Sequence, residues 1–389
     1  MNYPVSKLED CCTIIAGQSP ESKYYNFDGE GIPFFQGKAD FGDLYPTIRV
    51  YCSQPTKIAE KDDILLSVRA PVGPTNLAPC QVCIGRGLTA IRPSSQLLTG
   101  YVLMFFRFFE AQLALKGTGT TFNAITQNVV KNLEIPIPPL DEQRRIVSRI
   151  EELFSELDNS VSTLQKTKEQ LAVYRQASIT SAYPVMTEEN TKKLSEISDI
   201  TGGITKGRDL KQAETIFLPY LRVANVQNGF LDLTEIKEIE LKADEKEKYL
   251  LKKGDVLYTE GGDRDKLGRG TVWNEEIPDC VHQNHVFRAR VDKSIAIPEY
   301  VAYWSMGSYA RTYFFRKGKQ TVNLASINKT VLSNLELPIP DLATQEKALA
   351  EIESRLSVCD SIEHTVDTAL QQAEAMRQSI LKQAFEGRL

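Results

Sequence analysis

A duplicated segment constrains this chain more than any other feature of its sequence. Residues 133–138 (LEIPIP) return as residues 335–340 (LELPIP), and each copy leads directly into a long heptad-patterned stretch. The same offset of 202 residues relates Asn132 to Asn334, Gln143 to Gln345, and Arg175-Gln176 to Arg377-Gln378. Two similar copies in one polypeptide predict an internal pseudo-dimer, because duplicated segments tend to pack about an approximate twofold axis. A molecule with two related faces suits a bipartite target.

The repeat extends into the segment that precedes each heptad stretch, with offsets that drift as loop lengths differ. Lys7-Leu8, Gly17, residues 32–34 and residues 63–65 match Lys193-Leu194, Gly203, residues 218–220 and residues 255–257. A chain of 389 residues is also too long for one compact core. We therefore predict four parts: a globular domain over residues 1–140, a long helix over 141–183, a second domain over 184–340 and a second helix over 341–389.

Short runs of β-branched and aromatic residues, separated by Gly, Pro and Asp, characterise both globular segments. Residues 63–68 and residues 281–291 are examples. This pattern predicts strand-rich, mixed α/β domains, with a short helix near residues 101–115 and another near residues 299–315.

Apolar residues recur at spacings of three, four and seven in both heptad stretches, which is typical of coiled-coil seams. They are Ile146, Ile150, Leu153, Leu157, Val161, Leu164, Leu171 and Tyr174 in the first, and Leu356, Cys359, Val366, Leu370, Ala373 and Ile380 in the second. Pro139 favours an extended chain, so the first helix should begin near Asp141. Pro184 should end it near Tyr183. Each helix would then have about 44 residues and a length of roughly 66 Å.

One alternative is that each helix packs only on its own globular domain. Duplication favours a different arrangement, since two helices of matching length can bury each other's seams within one chain. Because each helix leads away from its own domain, an antiparallel pair would place one domain toward each end. The predicted fold is therefore α+β: two mixed α/β domains in a pseudo-twofold repeat, separated by two long antiparallel coiled-coil helices.

Charge neither requires nor excludes a nucleic-acid partner. The formal net charge is −5, but each globular segment carries equal numbers of basic and acidic residues, so the acidic excess lies on the two helical segments. Local basic faces are therefore compatible with the total. No apolar run reaches the roughly 20 residues that span a bilayer, and no signal-peptide pattern is present. We expect a cytoplasmic protein without a membrane partner.

The cysteines give no sign of a disulfide framework or a metal site. There are seven, an odd number, and they are unevenly scattered. Only Cys80 and Cys83 have the spacing of metal ligands, and no second close pair of Cys or His follows at a suitable distance. A structural zinc site needs four ligands, so buried thiols are favoured over a metal at these positions.

Motifs for catalysis are missing from the sequence. No P-loop pattern is present, and the three histidines lie near no nucleophile signature. His282 and His285 could suggest a metal pair, but two ligands are too few, and in a strand they would point to opposite faces. Groove contacts or plain strand surface fit them better. The Gly-rich residues 261–270 suit a phosphate-contacting loop better than a dinucleotide site. We expect no catalysis by this chain alone.

Several segments, taken with the double domain–helix pattern, resemble the specificity subunit of type I restriction-modification systems. They are residues 133–146 and their counterpart 335–348, residues 376–389, and residues 83–92 and 220–225, which are similar to parts of target-recognition domains. The resemblance covers essentially the whole chain. It implies a non-catalytic reader of double-stranded DNA with two target-recognition domains, one for each half of a split, asymmetric site.

The resemblance also implies partners. Two methyltransferase (modification) subunits, which methylate adenine with S-adenosylmethionine, would dock on the helices, and ATP-driven restriction (translocase) subunits would complete the enzyme. S-adenosylmethionine, ATP and Mg would then bind to these partners, and no cofactor is expected in this chain. One departure is that residues 341–345 (DLATQ) stand where the first copy has residues 139–143 (PLDEQ). The two docking surfaces are therefore expected to be unequal.

DNA binding needs two kinds of contact. Phosphates bind to Lys, Arg and the N–H groups of Gly-rich loops, and the candidates are Lys38, Arg69, Lys116, Gly117, Lys206, Arg208, Arg264, Lys266, Arg269 and Lys319. Base edges need planar donors and acceptors, and the candidates are Gln36, Arg86, Arg222, Asn225, Gln283 and Asn284. For any one of them a solvated surface position is an equally good interpretation, so the hypothesis concerns the set.

Two other classes of function remain open from the residues alone. A structural protein could use the coiled coil for assembly, and it would lack steeply salt-dependent binding to duplex DNA. A hydrolase would need a nucleophile and a base that three histidines do not supply.

If the helices set the distance between half-sites, four residues inserted near Leu164 would add about 6 Å, near two base pairs. Exchange of residues 1–132 would then alter one half-site only.

Overall fold

Two units make up the computed structural model, which describes residues 3–117, 124–210, 213–262, 267–320 and 325–389. Unit 1 comprises Met1–Leu164 and Asp367–Leu389, and unit 2 comprises Gln165–Val366. Each unit therefore contains one globular segment, the first part of one long helix and the last part of the other. The divisions after Leu164 and after Val366 are separated by the repeat offset, so the repeat of the sequence is also a repeat of the fold.

The described part of unit 1 contains three sheets. Its strands are β1 (Val5–Lys7), β2 (Cys12–Ala16), β3 (Tyr25–Asn26), β4 (Ile32–Phe35), β5 (Tyr51–Cys52), β6 (Ile58–Ala59), β7 (Ile64–Ser67), β8 (Thr75–Leu77), β9 (Val82–Ile84), β10 (Leu88–Pro93) and β11 (Glu134–Pro136). Its helices are α1 (Leu8–Cys11), α2 (Thr99–Leu115), α3 (Gln127–Lys131) and the first part of α4 (Leu140–Ser181). The strand orders are β2-β10-β7-β8, β3-β5-β4-β9-β6 and β1-β11, and β4 and β9 are parallel.

The core of unit 1 forms on both faces of the four-stranded sheet. Ile64 and Ile91 pack with Tyr101 of α2 on one face. Leu65 and Ala90 point to the other face and pack in a cluster that includes strands of the five-stranded sheet. Because successive strand residues alternate between faces, a sheet covered on both sides needs a continuous apolar run, which residues 64–66 supply.

The described part of unit 2 repeats this plan. Its strands are β12 (Thr191–Lys193), β13 (Ser198–Gly202), β14 (Thr215–Leu221), β15 (Lys237–Lys242), β16 (Asp255–Thr259), β17 (Gly261–Gly262), β18 (Gly270–Val272), β19 (Val281–His282), β20 (Val286–Val291), β21 (Lys319–Gln320), β22 (Ala325–Ser326) and β23 (Glu336–Pro338). Its helices are α5 (Leu194–Ile197), α6 (Lys246–Tyr249), α7 (Pro298–Met306), α8 (Ser308–Lys317), α9 (Lys329–Ser333) and the first part of α10 (Leu342–Phe385). The strand orders are β13-β20-β16-β18, β15-β14-β19, β12-β23 and β17-β22-β21, and β14 and β19 are parallel.

A buried glutamine fixes the start of each long helix. Gln143 is fully buried and accepts a hydrogen bond from the backbone N–H of Leu98 at 2.8 Å. Its amide donates to the carbonyls of Gln96 and Pro138, each at 2.8 Å. The same three bonds occur in unit 2 at 3.0, 3.0 and 2.8 Å, made by Gln345 with Ile297, Ile295 and Pro340. Buried polar groups that are all satisfied in this way hold each helix to its globular segment.

A buried carboxylate joins the two central strands of the four-stranded sheet in each unit. Asp63, 3% exposed, accepts hydrogen bonds from Nε and Nη2 of Arg92 at 2.8 and 2.7 Å. Asp255, 1% exposed, pairs with Arg290 in the same way, at 2.8 and 2.8 Å. These bidentate pairs connect β7 to β10 and β16 to β20, the strands from which the loops of the candidate site emerge.

The long helices pack antiparallel within each unit. In unit 1, Arg377 of α10 forms an ion pair with Asp158 of α4. In unit 2, Arg175 of α4 forms the equivalent pair with Asp360 of α10 at 2.6 Å, and a second pair with Glu363 at 2.7 Å. Helix pairing, the two-halved architecture and the α+β class are therefore confirmed.

Aromatic residues at the far end of each helix bind to the globular segment of the other repeat. Phe385, at the end of α10, packs on Tyr101 of unit 1 with ring centroids 5.2 Å apart. Tyr183, two residues after α4, packs on Tyr300 and Trp304 of unit 2 at 4.6 and 4.9 Å. The alternative in which each helix packs only on its own domain is therefore wrong.

Three local predictions need correction. Tyr174 is 51% exposed and lies outside the seam. The seam continues from Leu171 to Ser178, which is buried and follows seven residues later, and Phe154 is also buried. The helix expected over residues 299–315 is two helices, because Gly307 adopts an extended conformation between α7 and α8. The strand expected over residues 281–291 is interrupted by a turn closed by a hydrogen bond from Val286 N to the Gln283 carbonyl at 2.8 Å. None of the helices described here has a stretch long and apolar enough to cross a membrane.

Candidate nucleic-acid interface

A cleft of about 720 Å³ in unit 1 brings together four of the residues predicted to contact DNA. They are Gln36, Lys38, Arg69 and Arg86. In sequence they are spread over 51 positions, from 36 to 86, and all four side chains are exposed. The cleft therefore combines two planar groups of the base-reading kind with two cations of the phosphate-binding kind.

The parallel pairing of β4 with β9 creates this cleft. A hydrogen bond from Gly85 N to the Phe35 carbonyl, 2.8 Å long, extends the pairing beyond the strand ends and places Arg86 next to Gln36. Only glycine fits at position 87, because a Cβ there would lie 2.2 Å from the Gln36 carbonyl oxygen. Close backbone approach thus explains why Arg86 stands between two glycines.

A second set of bonds adds Arg69 to the same loop cluster. Val68 N donates to the Gly87 carbonyl at 3.0 Å. The Ser67 hydroxyl donates to the carbonyls of Arg69 and Pro71, at 3.1 and 2.9 Å, which holds the turn after β7. Arg69 consequently lines the same cleft as Arg86.

Positive charge dominates the lining of the cleft. Within the described residues, no carboxylate oxygen lies within 4 Å of the charged groups of Lys38, Arg69 or Arg86. Asp40 also lines the cleft, and one of its carboxylate oxygens accepts a hydrogen bond from Gln36 N at 3.1 Å. Three exposed cations against one carboxylate make the cleft a suitable surface for phosphate.

Unit 2 has the same backbone arrangement at the corresponding place. Gln283 N donates to the Leu221 carbonyl at 2.9 Å, as Gly85 N does to that of Phe35. Three further bonds of unit 1 have counterparts of similar length in unit 2. The bond from Gln18 N to Ile84 O (3.0 Å) matches the bond from Ile204 N to His282 O (2.8 Å), and the bond from Val68 N to Gly87 O (3.0 Å) matches the bond from Glu260 N to His285 O (2.9 Å). The bond from Ile125 N to Val68 O (3.0 Å) matches the bond from Ile327 N to Glu260 O (2.8 Å). The register makes Gln36 equivalent to Arg222, and Arg86 equivalent to Asn284.

Several candidates in unit 2 are available to a ligand. Lys206 and Lys319 are exposed, and Gln283 and Asn284 are half-buried. Asn284 N donates to the Ile204 carbonyl at 2.9 Å, which brings the segment that carries Lys206 next to the Gln283-Asn284 turn. Gln283 and Asn284 occupy in unit 2 the place that Gly85 and Arg86 occupy in unit 1.

Other candidates in unit 2 are engaged within the protein. Arg208 binds both carboxylate oxygens of Glu245 at 3.0 and 2.9 Å, and this hydrogen bonding raises the pKa of Arg208 and lowers the pKa of Glu245. Arg222 pairs with Glu235 at 3.1 Å. Arg269 donates to the side-chain oxygen of Gln227 at 3.2 Å.

Asn225 has a structural position. It is 2% exposed, and its side-chain oxygen accepts a hydrogen bond from Arg222 N at 2.9 Å. Its amide donates to the carbonyls of Asp232 and Glu235 at 2.8 and 3.0 Å. With donor and acceptor both used, Asn225 holds the loop after β14 and has no free edge for a base.

Four predicted positions lie away from these clusters or outside the described residues. Lys116 is exposed and lines a separate, aromatic cleft of unit 1 with Phe105 and Phe108, and Gly117 follows it at the end of α2. Arg264 and Lys266, in the Gly-rich segment 261–270, lie outside the described residues.

The comparison with known families decides the class of protein. A family model for the type I restriction modification DNA specificity domain matches the chain twice, over residues 2–171 and 186–372. The chain belongs to this family. This is the family that the sequence resemblance predicted.

Individual relatives are similar over different lengths of the chain. The putative type I restriction enzyme MjaX specificity subunit of Methanocaldococcus jannaschii is 41% identical over 159 residues, which cover 41% of this chain and 36% of the relative. The type I restriction enzyme EcoKI specificity subunit of Escherichia coli K12 is 24% identical over 373 residues, 91% of this chain and 80% of the relative. The crystal structure of the HsdS subunit from Thermoanaerobacter tengcongensis is 48% identical over 40% of this chain and 38% of that chain, with a TM-score of 0.37. The chain thus matches little more than a third of the length of the MjaX relative and of this crystal structure.

One residue of the unit 1 cleft was missed by sequence reasoning. Phe27 lines the cleft and is 80% exposed, but an aromatic residue in a strand-rich segment reads as core. The available signal was its context, because Asn26, Asp28 and Gly29 are residues typical of a turn. An aromatic residue inside a turn has no strand neighbours to pack on.

Two sequence predictions concerned metal ligands. Cys83 is buried beside Cys52 and Phe34, and burial raises the pKa of its thiol, whereas Cys80 is half-buried. Among the described residues, no group of three or more His, Cys, Asp and Glu side chains is placed to hold a metal ion.

His282 is a buried residue that is neutral at pH 7. It is fully buried, and its Nδ1 donates to the Val286 carbonyl at 2.7 Å, while its Nε2 has no partner in the described part of the chain. The pKa of His282 is lowered to about 4, mainly by burial and to a smaller extent by the positive charge of Arg288, while the bond to Val286 opposes the shift. The expected groove or surface position is therefore wrong for His282. His285 is exposed, with Nδ1 2.5 Å from a carboxylate oxygen of Glu260.

Acid should therefore destabilise unit 2 through His282. Its pKa is lower in the folded state than the usual 6.5, so the stabilisation is complete above pH 6.5 and is lost as the pH falls toward 4. The free energy of unfolding should fall by about 1.4 kcal/mol per pH unit over this interval, about 3 kcal/mol in all. Both tryptophans, Trp273 and Trp304, belong to unit 2, so tryptophan fluorescence during urea unfolding measures this unit.

The matched comparison uses His282→Asn and His285→Asn. The first should flatten the pH dependence between pH 6.5 and 4, and the second should leave most of it in place, because the side chain of His285 that pairs with Glu260 is more than half exposed and such pairs contribute little to stability. An unaltered slope in His282→Asn would show that another group controls the acid sensitivity.

Proposed function

We propose that each unit of this specificity subunit reads one half of a bipartite, asymmetric site in double-stranded DNA. Residues 1–140 and 184–340 would be the two target-recognition domains, and residues 141–183 and 341–389 the helices that connect them. The observation that carries the proposal is that one backbone arrangement presents different polar side chains in the two units. Arg86 stands where Asn284 stands, and Gln36 where Arg222 stands. Equivalent loops with different side chains suit equivalent contacts to different bases.

The side chains of each cluster divide into two roles. Arg86 has the donor fork that matches the O6 and N7 atoms of guanine, while Gln36, Gln283 and Asn284 match the N6 and N7 atoms of adenine. Lys38 and Arg69 in unit 1, and Lys206 and Lys319 in unit 2, would bind phosphates and fix the position of the duplex. Arg208, Arg222 and Arg269 would first have to leave their present partners.

The two long helices would determine the spacer between the half-sites. Each is continuous, with 42 residues in α4 and 44 in α10, and each contributes residues to both units. Because the rise of an α-helix is about 1.5 Å per residue, helix length converts directly into a distance along the duplex.

The helices would also dock two methyltransferase subunits. Large apolar side chains lie exposed on them: Val173 and Tyr174 on α4, and Val358, Ile362 and Met376 on α10. On a helix whose seam already packs against another helix, exposed apolar side chains are suited to contact with a further helix or with a partner surface. S-adenosylmethionine, ATP and Mg would bind to the modification and restriction subunits, in agreement with the non-catalytic character of the family.

Selection of bound DNA tests this function. The full chain, co-purified with its methyltransferase, should recover from a randomised pool a site of two short defined segments separated by an undefined spacer of constant length. The logarithm of its binding constant should fall linearly with the logarithm of the salt concentration, with a slope of about −0.9 per phosphate contacted. One continuous segment, or binding without sequence preference, would contradict the proposal, and weak dependence on salt would favour an assembly protein.

A further inference from the structure

An exposed aromatic ring at the unit 1 cleft has no role among the polar contacts described above. Phe27 is 80% exposed and lines the same cleft as Gln36 and Arg86. By contrast, the rings of the nearby residues Tyr25 and Phe34 pack against each other, with their centroids 4.7 Å apart. Full burial of a Phe side chain stabilises a protein by about 1.5–3 kcal/mol. An exposed ring gains that stabilisation only when a partner covers it.

The turn that carries Phe27 has a defined shape. The Asn26 amide donates to the Glu30 carbonyl at 2.9 Å, and Glu30 N donates back to the Asn26 side-chain oxygen at 3.0 Å. Gly31 has a φ of 90°, and a Cβ there would lie 2.1 Å from the Cys52 carbonyl oxygen. The ring is therefore presented by a clamped turn that leads into β4, the strand that ends at the base-reading cluster.

The surroundings of the ring define the partner that fits it. Lys38, Arg69 and Arg86 favour a polyanion, and the planar groups of Gln36 and Arg86 favour base edges. In the major groove, the apolar group that base edges offer is the C5-methyl group of thymine. An apolar ring beside edge-reading groups is thus complementary to a thymine.

We propose that Phe27 is a specificity-determining residue that packs against the C5-methyl group of a thymine in the half-site read by unit 1. This inference rests on the proposed function and adds to it an apolar contact. Discrimination at this position would come from burial of one methyl group and not from hydrogen bonds. Uracil, which has the same hydrogen-bonding edge as thymine but lacks the methyl group, should be bound less tightly there.

Replacement of single thymines by deoxyuridine tests the contact. The complex of the full chain with its methyltransferase would be titrated with duplexes in which each thymine of the unit 1 half-site is replaced in turn. At one position, uracil should weaken binding by the wild type about fourfold, as expected for one buried group of this size. Phe27→Ala should bind the thymine and uracil duplexes equally, about fourfold or more below the wild type on thymine. Phe217→Ala, which removes a ring that is 62% exposed in unit 2, should keep the fourfold difference.

The possible results separate this contact from the proposed function. A wild-type complex that is indifferent to uracil at every position, or a unit 1 half-site without thymine on either strand, overturns the inference and leaves bipartite reading intact. A Phe27→Ala complex that binds more weakly but still distinguishes thymine from uracil also overturns it, because the ring then stacks on a base. A wild-type complex that selects no bipartite site overturns both.

Discussion

Four residues inserted after Leu164, together with four inserted after Val366, should lengthen the preferred spacer by one or two base pairs and leave both half-sites unchanged. The two positions are equivalent in the repeat and mark the division between the units. Four residues add about 6 Å, the rise of about two base pairs, and rotate one end of the helix by about 40° relative to the other. That rotation equals the twist of about one base pair. Paired insertions preserve the match between the antiparallel helices.

The affinity of this variant for the original site should fall to the level of non-specific binding, a loss of about 10³-fold or more. Replacement of residues 165–168 by alanine, which keeps the length, is the control and should leave the spacer unchanged. Selection from a randomised pool would measure both. An unchanged spacer in the insertion variant, with tight binding to the original site, would show that helix length does not set the spacing.

Arg290→Ala should destabilise unit 2 by about 3–5 kcal/mol, because it leaves the carboxylate of Asp255 buried without its counter-ion. Asp255 is 1% exposed, and after the substitution its side chain would keep, among the described residues, only the hydrogen bond from Lys252 N, 2.7 Å long. Hydrogen bonding to Asp255 also raises the pKa of Arg290. Tryptophan fluorescence in urea would measure the loss, since both tryptophans lie in this unit.

Two further variants show whether charge burial is the cause. Lys237→Ala breaks an ion pair with Glu235 in which both side chains are more than half exposed, and it should cost less than about 1 kcal/mol. The double variant Asp255→Asn with Arg290→Met removes both charges and should recover most of the lost stability. Equal losses for Arg290→Ala and Lys237→Ala would contradict this explanation.

Much of the architecture could be predicted because it is repeated in the sequence. The offset that relates Gln143 to Gln345 also relates the residues of the interhelical ion pairs, Asp158 to Asp360 and Arg175 to Arg377. Heptad spacing predicted two long helices, and the structure contains them as α4 and α10. Periodicity could not give the strand order, because pairing between β4 and β9 joins segments about fifty residues apart.

The candidate site was harder to predict than the fold. Gln36, Lys38, Arg69 and Arg86 were selected by residue type, and they meet in one cleft because main-chain hydrogen bonds unite three loops. Residue type cannot reveal an internal partner, so the pairing of Arg208 with Glu245 was not foreseen. For the same reason Phe27, a residue type associated with cores, was not included.

Alanine substitution at equivalent positions of the two units tests most directly whether each unit reads its own half-site. Arg86→Ala and Asn284→Ala would each be assembled with the methyltransferase, and the preferred DNA would be selected from a randomised pool. Arg86→Ala should relax one base position in one half-site, at a cost of about 1–3 kcal/mol on the original site, and Asn284→Ala should relax a position in the other half-site only. If both substitutions relaxed the same half-site, or if either changed both, the two units would not read DNA independently.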